Sequence, residues 1–462
     1  MADIAARLGE IVGAGHVLSG DAIGEDYTHD ETLTAEATRP AHVVRPATAA
    51  EVAAVLTLAG ETGTPVTARG SGTGLSGSAT PRADGILVSF ERMNKILEVD
   101  TENHVAVVQP GVTLTELEER TKEDGLFYPV YPGELSASLG GNVGTNAGGM
   151  RAVKYGVTRH HVLGLEAVLP TGEIVRTGGK FVKASTGYDL TQLIVGSEGT
   201  LALVTEATLK LQPRLSHQAT VLAPYPDLAT VARAVPGMVG SGLGPLILEY
   251  IDAFTMGAIT YAADLQLGIP DEMRDKSQAY LVVMLEDNSA TRLDEDVEAA
   301  GTLLGELGAL DVYVLPGPAA RKLIEAREKA FFTARTAGAD DIIDTVLPRA
   351  ALPDFFAKVL EIAQGNETFV VGCGHAGDGN VHLAVFQKDP EVRHKVLHEL
   401  FATGMALGGA ISGEHGIGHE KKQHFLELTD PAKVALMRRI KTAFDPKAIL
   451  NPGVLFDAGD RP

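Results

Sequence analysis

Glycine is concentrated in four short stretches of this chain, and they constrain its fold more than any other feature. They are 70–77 (GSGTGLSG), 140–149 (GGNVGTNAGG), 178–199 and 372–379 (GCGHAGDG). Apolar periodic segments flank each one, a context that low-complexity sequence does not supply. Glycine alone takes positive φ and close contact without a Cβ clash, so such clusters mark places where backbone lies against a ligand.

The first stretch contains Gly72-Thr73-Gly74-Leu75-Ser76-Gly77, a letter match to the dinucleotide pattern G-x-G-x-x-G. That pattern has mechanical meaning only where a strand precedes it and a helix starts on it. Strand-like PVTA (65–68) does precede it, but Pro81, Gly85 and the strand-like run ILVSF follow. No helix is expected there, so the match is not read as an NAD site. Glycines interleaved with Ser and Thr suit a nest of loop amides around a pyrophosphate instead.

Strands and helices alternate over the first 215 residues. Thr48 and Glu51 have capping-box spacing ahead of an apolar stripe (Val52, Val55, Leu56, Ala59), and Thr113 with Glu116 repeats the device. GILVSF (85–90), HVAVVQPG (104–111), EAVLP (166–170), EIVRT (173–177) and TLALVTEATLKL (200–211) read as strands. QPRLSH (212–217) breaks the pattern and sets the first boundary. Strands are next expected near 245–252, 279–286, 368–377 and 380–386, with Asp-Pro helix starts at 389 and 430. The expected division is 1–215, 216–415 and a closing helical segment, 416–462, returning to the first domain.

Composition narrows the function classes. A net charge of −21, from 39 basic and 60 acidic residues, repels a phosphate backbone, so nucleic acid is not an expected partner. The lone cysteine, Cys373, rules out an intrachain disulfide and Cys-rich zinc modules, and it reads as a small buried hydrophobe. The start of the chain does not read as a secretory signal, and no apolar run reaches membrane-spanning length. A soluble cytoplasmic protein is expected.

His375 and His382 flank AGDGNV, and the distant ISGEHGIGHEK supplies Glu414 and His415. Two imidazoles and a carboxylate suit Zn²⁺, Mn²⁺ or Fe²⁺ with open positions for substrate. Spacing alone is equally compatible with ordinary loop histidines. His160 and His161 are given no role.

VVRPATAAEVAAVL, PVTARGSGTGLSG, SASLGGNVGTNAGGMRAVKYGVTRHHVLGLEAVLPTGE, GYDLTQLIVGSEGTLALVTEATL and DPKAILNPG occur in order between about residues 40 and 456. Together they resemble the FAD-linked oxidases of the vanillyl-alcohol oxidase and p-cresol methylhydroxylase type. The nearest branch holds glycolate oxidase flavoprotein subunits, D-lactate dehydrogenases and D-2-hydroxyglutarate dehydrogenases. The resemblance implies an α+β fold: a two-subdomain FAD-binding domain and a cap domain with an antiparallel sheet and helices. It implies that Arg69, Gly70, Ser71, Gly72, Thr73, Gly74, Leu75 and Ser76 hold the FAD pyrophosphate. Gly140, Gly141, Asn142, Thr145, Asn146 and Gly149 would line the flavin, and Gly199 and Val204 the adenine and ribose. Ser71 and Gly72 stand where some relatives carry a tethering His, so non-covalent FAD is expected.

The same resemblance makes His375, His382 and Glu414 metal ligands, Zn²⁺ first with Mn²⁺ or Fe²⁺ as alternatives. It puts His415 beside the flavin as base and makes Arg327 the carboxylate-binding group, whose plain alternative is an exposed helix Arg. The reaction implied is oxidation of a 2-hydroxy acid to the 2-oxo acid. The hydroxyglutarate branch would carry Thr, Lys and Asn where this chain has Phe331, Ile342 and Ala384. A monocarboxylate, glycolate or D-lactate, is therefore expected. The implied electron acceptor is a quinone, an iron-sulfur subunit, an electron-transferring flavoprotein or O₂; a homodimer and peripheral membrane association through a partner are also compatible. Two other readings stand beside this one: a flavin-using synthase resembling alkylglycerone-phosphate synthase, and a non-catalytic electron relay.

Overall fold

The computed structural model describes residues 4–34 and 36–457. The first sheet has the spatial order Val17–Ser19, His42–Val44, Ile86–Ser89, Val66–Arg69, and the last three strands are parallel. Parallel neighbours need a crossover, and the helix Ala49–Thr62 supplies one, with Val52, Val55, Leu56 and Ala59 fully buried. Its expected capping box is half formed. Thr48 Oγ1 accepts from Glu51 N at 3.2 Å, but the Glu51 carboxylate accepts from Ala47 N at 2.7 Å, one residue earlier than expected. The box at Thr113 and Glu116 is complete.

The second sheet is antiparallel, in the order Ile96–Asp100, Val105–Val108, Leu203–Lys210, Val162–Val168, Ile174–Gly178. The stretch 140–149, whose glycines read only as backbone lying against a ligand, contains the helix Leu139–Thr145, started by Ser138 Oγ accepting from Gly141 N at 3.3 Å. Glycine serves close packing here, because a Cβ on Gly140 would lie 2.5 Å from Pro110 Cβ. Loop 70–79 starts no helix, and the next element is the strand Ile86–Ser89.

Seven antiparallel strands form the third sheet: Tyr313–Leu315, His217–Tyr225, Ala279–Asp287, Ile247–Asp252, Phe369–Gly374, Asn380–Phe386, Asp341–Val346. Both faces are buried, which explains why AYLVVMLE reads as a continuous apolar run. Leu248, Tyr250, Leu281 and Val283 join a core with the helices Leu228–Gly240, Ala290–Glu306, Leu352–Gly365 and Pro390–Ala406. Ile247, Ile251, Tyr280 and Val282 face the other way, toward Ala253–Ala262 and Gly317–Glu328. This second face carries the site. The chain's closing segment comes back to the first sheet, where Val66 N donates to Ile449 O and Asn451 N to Val66 O, both at 2.7 Å. Among the described residues, no helix is long and apolar enough to cross a membrane.

Candidate active site

A cleft of about 210 Å³ lies along the glycine-rich loops. Residues 69–76 all line it, as do Gly140, Gly141, Asn142, Thr145, Gly199 and Val204. Asn146 and Gly149 are absent from its wall. Asn146 takes the left-handed conformation that ends its helix, and its Oδ1 accepts from Arg159 N at 2.9 Å. Gly149 lies against backbone, where a Cβ would meet Tyr131 O. Gly72 adopts φ 76°, and the amides of Gly72, Thr73 and Gly74 donate to no protein acceptor among the described residues. Successive free amides around a positive-φ glycine form a concavity suited to phosphate oxygens, so the loop fits a dinucleotide pyrophosphate.

A second cavity, of about 150 Å³, meets this cleft at Thr73, Leu75, Pro132, Glu134, Glu414 and His415. Phe254, Ile259, Phe331, Phe332, Leu383 and Phe386 give it apolar walls, and Ile342 and Ala384 also face it. Arg327 is the one Lys or Arg among its described lining residues. Strand register aligns Asp344, His382 and Cys373 across three neighbouring strands, so they share a face. Cys373 is buried, and burial pushes its thiol up to about 11, so it stays a thiol.

Four of the expected residues converge where the two cavities meet. His375 Nε2 and His382 Nε2 lie 3.1 and 3.2 Å from the same atom, Glu414 Oε1. His375 Nδ1 is engaged with Glu249 Oε1 at 2.7 Å, which orients the ring with Nε2 toward Glu414. Glu414 Oε2 is buried without a hydrogen-bond partner among the described residues. Burial works against charge on His375, yet the Glu249 and Glu414 carboxylates on either side raise it well above its ordinary value. This field calls for a cation at the imidazole, and the two-His, one-carboxylate donor set fits a divalent metal. His415 stacks on His382 with ring centroids 5.1 Å apart. Burial, opposed by Asp344 and reinforced by Lys421 and His382, pushes His415 down to about 4, leaving it neutral at pH 7.

Arg327 is buried, not on an exposed helix face, and its Nη2 lies 2.7 Å from Glu249 Oε2. Glu249 therefore holds both the expected carboxylate binder and an expected metal ligand. Asp344 does the same for the loop 412–421. It accepts from Ser412 Oγ at 2.6 Å, His415 N at 2.9 Å, Asn380 Nδ2 at 2.8 Å and Lys421 Nζ at 3.2 Å. Burial would raise its pKa, but His415, Lys421 and His382 hold the carboxyl well below the usual range. Glu198 joins this loop to the cleft, accepting from Ile417 N at 2.9 Å, Gly418 N at 2.8 Å and the Ser78 hydroxyl. Sequence reasoning missed all three acids. For Glu249 and Asp344 the available signal was a carboxylate inside a largely apolar strand, in LILEYID and DIIDTV, because such groups are buried only when paired.

A glycine-lined dinucleotide cleft between two sheets, capped by an antiparallel sheet, defines an FAD-linked oxidoreductase. The FAD binding domain family matches residues 40–178 and the FAD linked oxidase C-terminal domain family matches 214–455, so the chain belongs to the FAD-linked oxidases. It is 62% identical over 456 residues to an uncharacterized FAD-linked oxidoreductase of Mycobacterium tuberculosis, covering 99% of each chain. It is 39% identical to a D-lactate dehydrogenase of Anaerostipes hadrus, covering 95% of this chain and 94% of the other. Among solved structures, p-cresol methylhydroxylase superposes with a TM-score of 0.81 at 17% identity, covering 99% of this chain and 97% of that one, and so shares the fold.

Proposed function

We propose that the chain oxidises a 2-hydroxy monocarboxylate, D-lactate or glycolate, to the 2-oxo acid. The observation that carries this reading is the convergence of His375 and His382 on Glu414 beside a neutral His415, where the substrate-sized cavity opens on the dinucleotide cleft. Bound FAD would supply the acceptor for the C2 hydride, held without a covalent link because Ser71 stands at the tethering position and its Oγ donates to Ser136 O at 2.6 Å. A divalent cation, Zn²⁺ first and Mn²⁺ or Fe²⁺ as alternatives, held by His375, His382 and Glu414, would supply Lewis acidity toward the substrate hydroxyl.

The protein residues do the rest. The Arg327 guanidinium offers charge-assisted hydrogen bonds to the substrate carboxylate, and Glu249 fixes its orientation from behind. His415, neutral at pH 7, accepts the hydroxyl proton as C2 loses its hydride, so the C–O bond becomes a carbonyl. Burial of the cluster keeps water from competing for that proton. A second substrate carboxylate would lie against Phe331, Ile342 and Ala384 with no cationic partner and an unrecovered desolvation cost. Turnover of D-lactate or glycolate with an artificial dye as acceptor is the expected result. Activity on D-2-hydroxyglutarate with neither monoacid used would overturn the proposal.

A further inference from the structure

Away from this site, two helices bring together histidines that the proposed reaction does not use. The helix Pro390–Ala406 carries His394 and His398 one turn apart, and the helix Lys422–Leu428 carries His424 and Glu427. His424 Nδ1 lies 3.4 Å from His398 Nδ1, and His398 Nδ1 lies 3.4 Å from Glu427 Oε2. One donor atom from each of His398, His424 and Glu427 lies within 4.8 Å of the others. Zinc bonds of about 2.0–2.1 Å in a tetrahedron put neighbouring donors roughly 3.4 Å apart, so both measured contacts have the length of one tetrahedral edge. The same contacts are long for hydrogen bonds.

The surroundings fit a ligand set. Gln423 Nε2 donates to Glu427 Oε1 at 2.9 Å, which turns Oε2 toward His398. His424 is 4% exposed and rests on Phe401, with ring centroids 5.2 Å apart, so its orientation is fixed by packing. His394 stacks on His424 with ring centroids 4.7 Å apart.

We propose that His398, His424 and Glu427 form a second divalent-cation site of the zinc class, structural in role and separate from the His375 cluster. Its place in the chain gives it a task. Lys421, the residue before the second helix, donates to Asp344, and the preceding loop carries Glu414 and His415. The helix Pro390–Ala406 is packed into the cap core through Val396, Leu400 and Phe401. A cation joining the two helices would therefore anchor the catalytic loop to the cap from its C-terminal side.

The test is metal content by mass spectrometry on FAD-loaded protein saturated with Zn²⁺ and desalted, for wild type, His398→Asn, Glu427→Gln and His375→Asn. Two equivalents in wild type, with one lost in each variant, is the expected result. One equivalent that survives His398→Asn and Glu427→Gln overturns the proposal. Retention of metal by His375→Asn would count against the first site alone and leave this one standing. Thermal unfolding of two further chains guards against misfolding. Zn²⁺ should raise the midpoint of a Glu414→Gln chain but not of the Glu414→Gln, His398→Asn chain, and an equal rise in both also overturns the proposal.

Discussion

Glu249 shows what a single buried residue does in this protein. It is fully buried, with one oxygen on His375 and the other facing Arg327. Glu249→Gln would keep the shape and remove the charge, leaving Arg327 buried without its counter-ion. Breaking a buried pair from one side costs about 3–5 kcal/mol, and losing a carboxylate behind a ligating His costs roughly 10–100-fold in metal affinity. Equilibrium dialysis against buffered Zn²⁺ and a denaturant titration should show both losses; unchanged affinity and midpoint would contradict the role. Glycine-bounded His and Glu motifs single out His375, His382, Glu414 and His415 in the sequence, and Arg327 is singled out by the family resemblance alone. Glu249 and Asp344 are not singled out. The strand of Glu249 reads as plain core and that of Asp344 is not read as a strand, and only the pairing of Tyr250 with Gly374 and of Asp344 with His382 brings the carboxylates to the imidazoles.

Elements divide in the same way. Caps, apolar stripes and Asp-Pro starts located the helices Ala49–Thr62, Leu114–Lys122, Pro390–Ala406 and Pro431–Phe444, because those signals are local. The stretch 140–149 misled because its glycines permit close packing of a helix against Pro110, a tertiary contact that composition does not reveal. His161, at the entry to the strand Val162–Val168, received no functional role, but it does bear on stability. It is 3% exposed, its Nε2 donates to Tyr155 O at 2.9 Å, and its Nδ1 has no hydrogen-bond partner among the described residues. Burial pushes it down to about 4 against that hydrogen bond, so the folded chain refuses a proton that the unfolded chain takes up near 6.5. Its contribution is therefore complete above pH 6.5 and is lost as pH falls toward 4, with a slope of up to about 1.4 kcal/mol per pH unit. His161→Gln should lose less stability than wild type across that window in denaturant titrations; parallel curves would show that His161 does not titrate there.

At the scale of the whole molecule, the fold and its cofactor follow from one arrangement. Glycine loops from the first two sheets make the cleft, and the third sheet turns one buried face toward it, with its polar residues where the two cavities meet. The α+β architecture was legible because the long apolar runs, the alternating strands and the ordered motifs all agreed. The junction was not, since residues 198, 249 and 344 join the His375, His382 and Glu414 set only in three dimensions. The central claim is that this junction removes a hydride and a proton from a 2-hydroxy monocarboxylate. Anaerobic stopped-flow mixing of the FAD- and Zn²⁺-loaded chain with D-lactate and with glycolate, following flavin absorbance, tests it most directly. The flavin should bleach with at least one of the two acids, and His415→Asn should slow that phase by about 100-fold or more, the share of a general base. No bleaching with either acid, or bleaching of His415→Asn at the wild-type rate, would contradict the account.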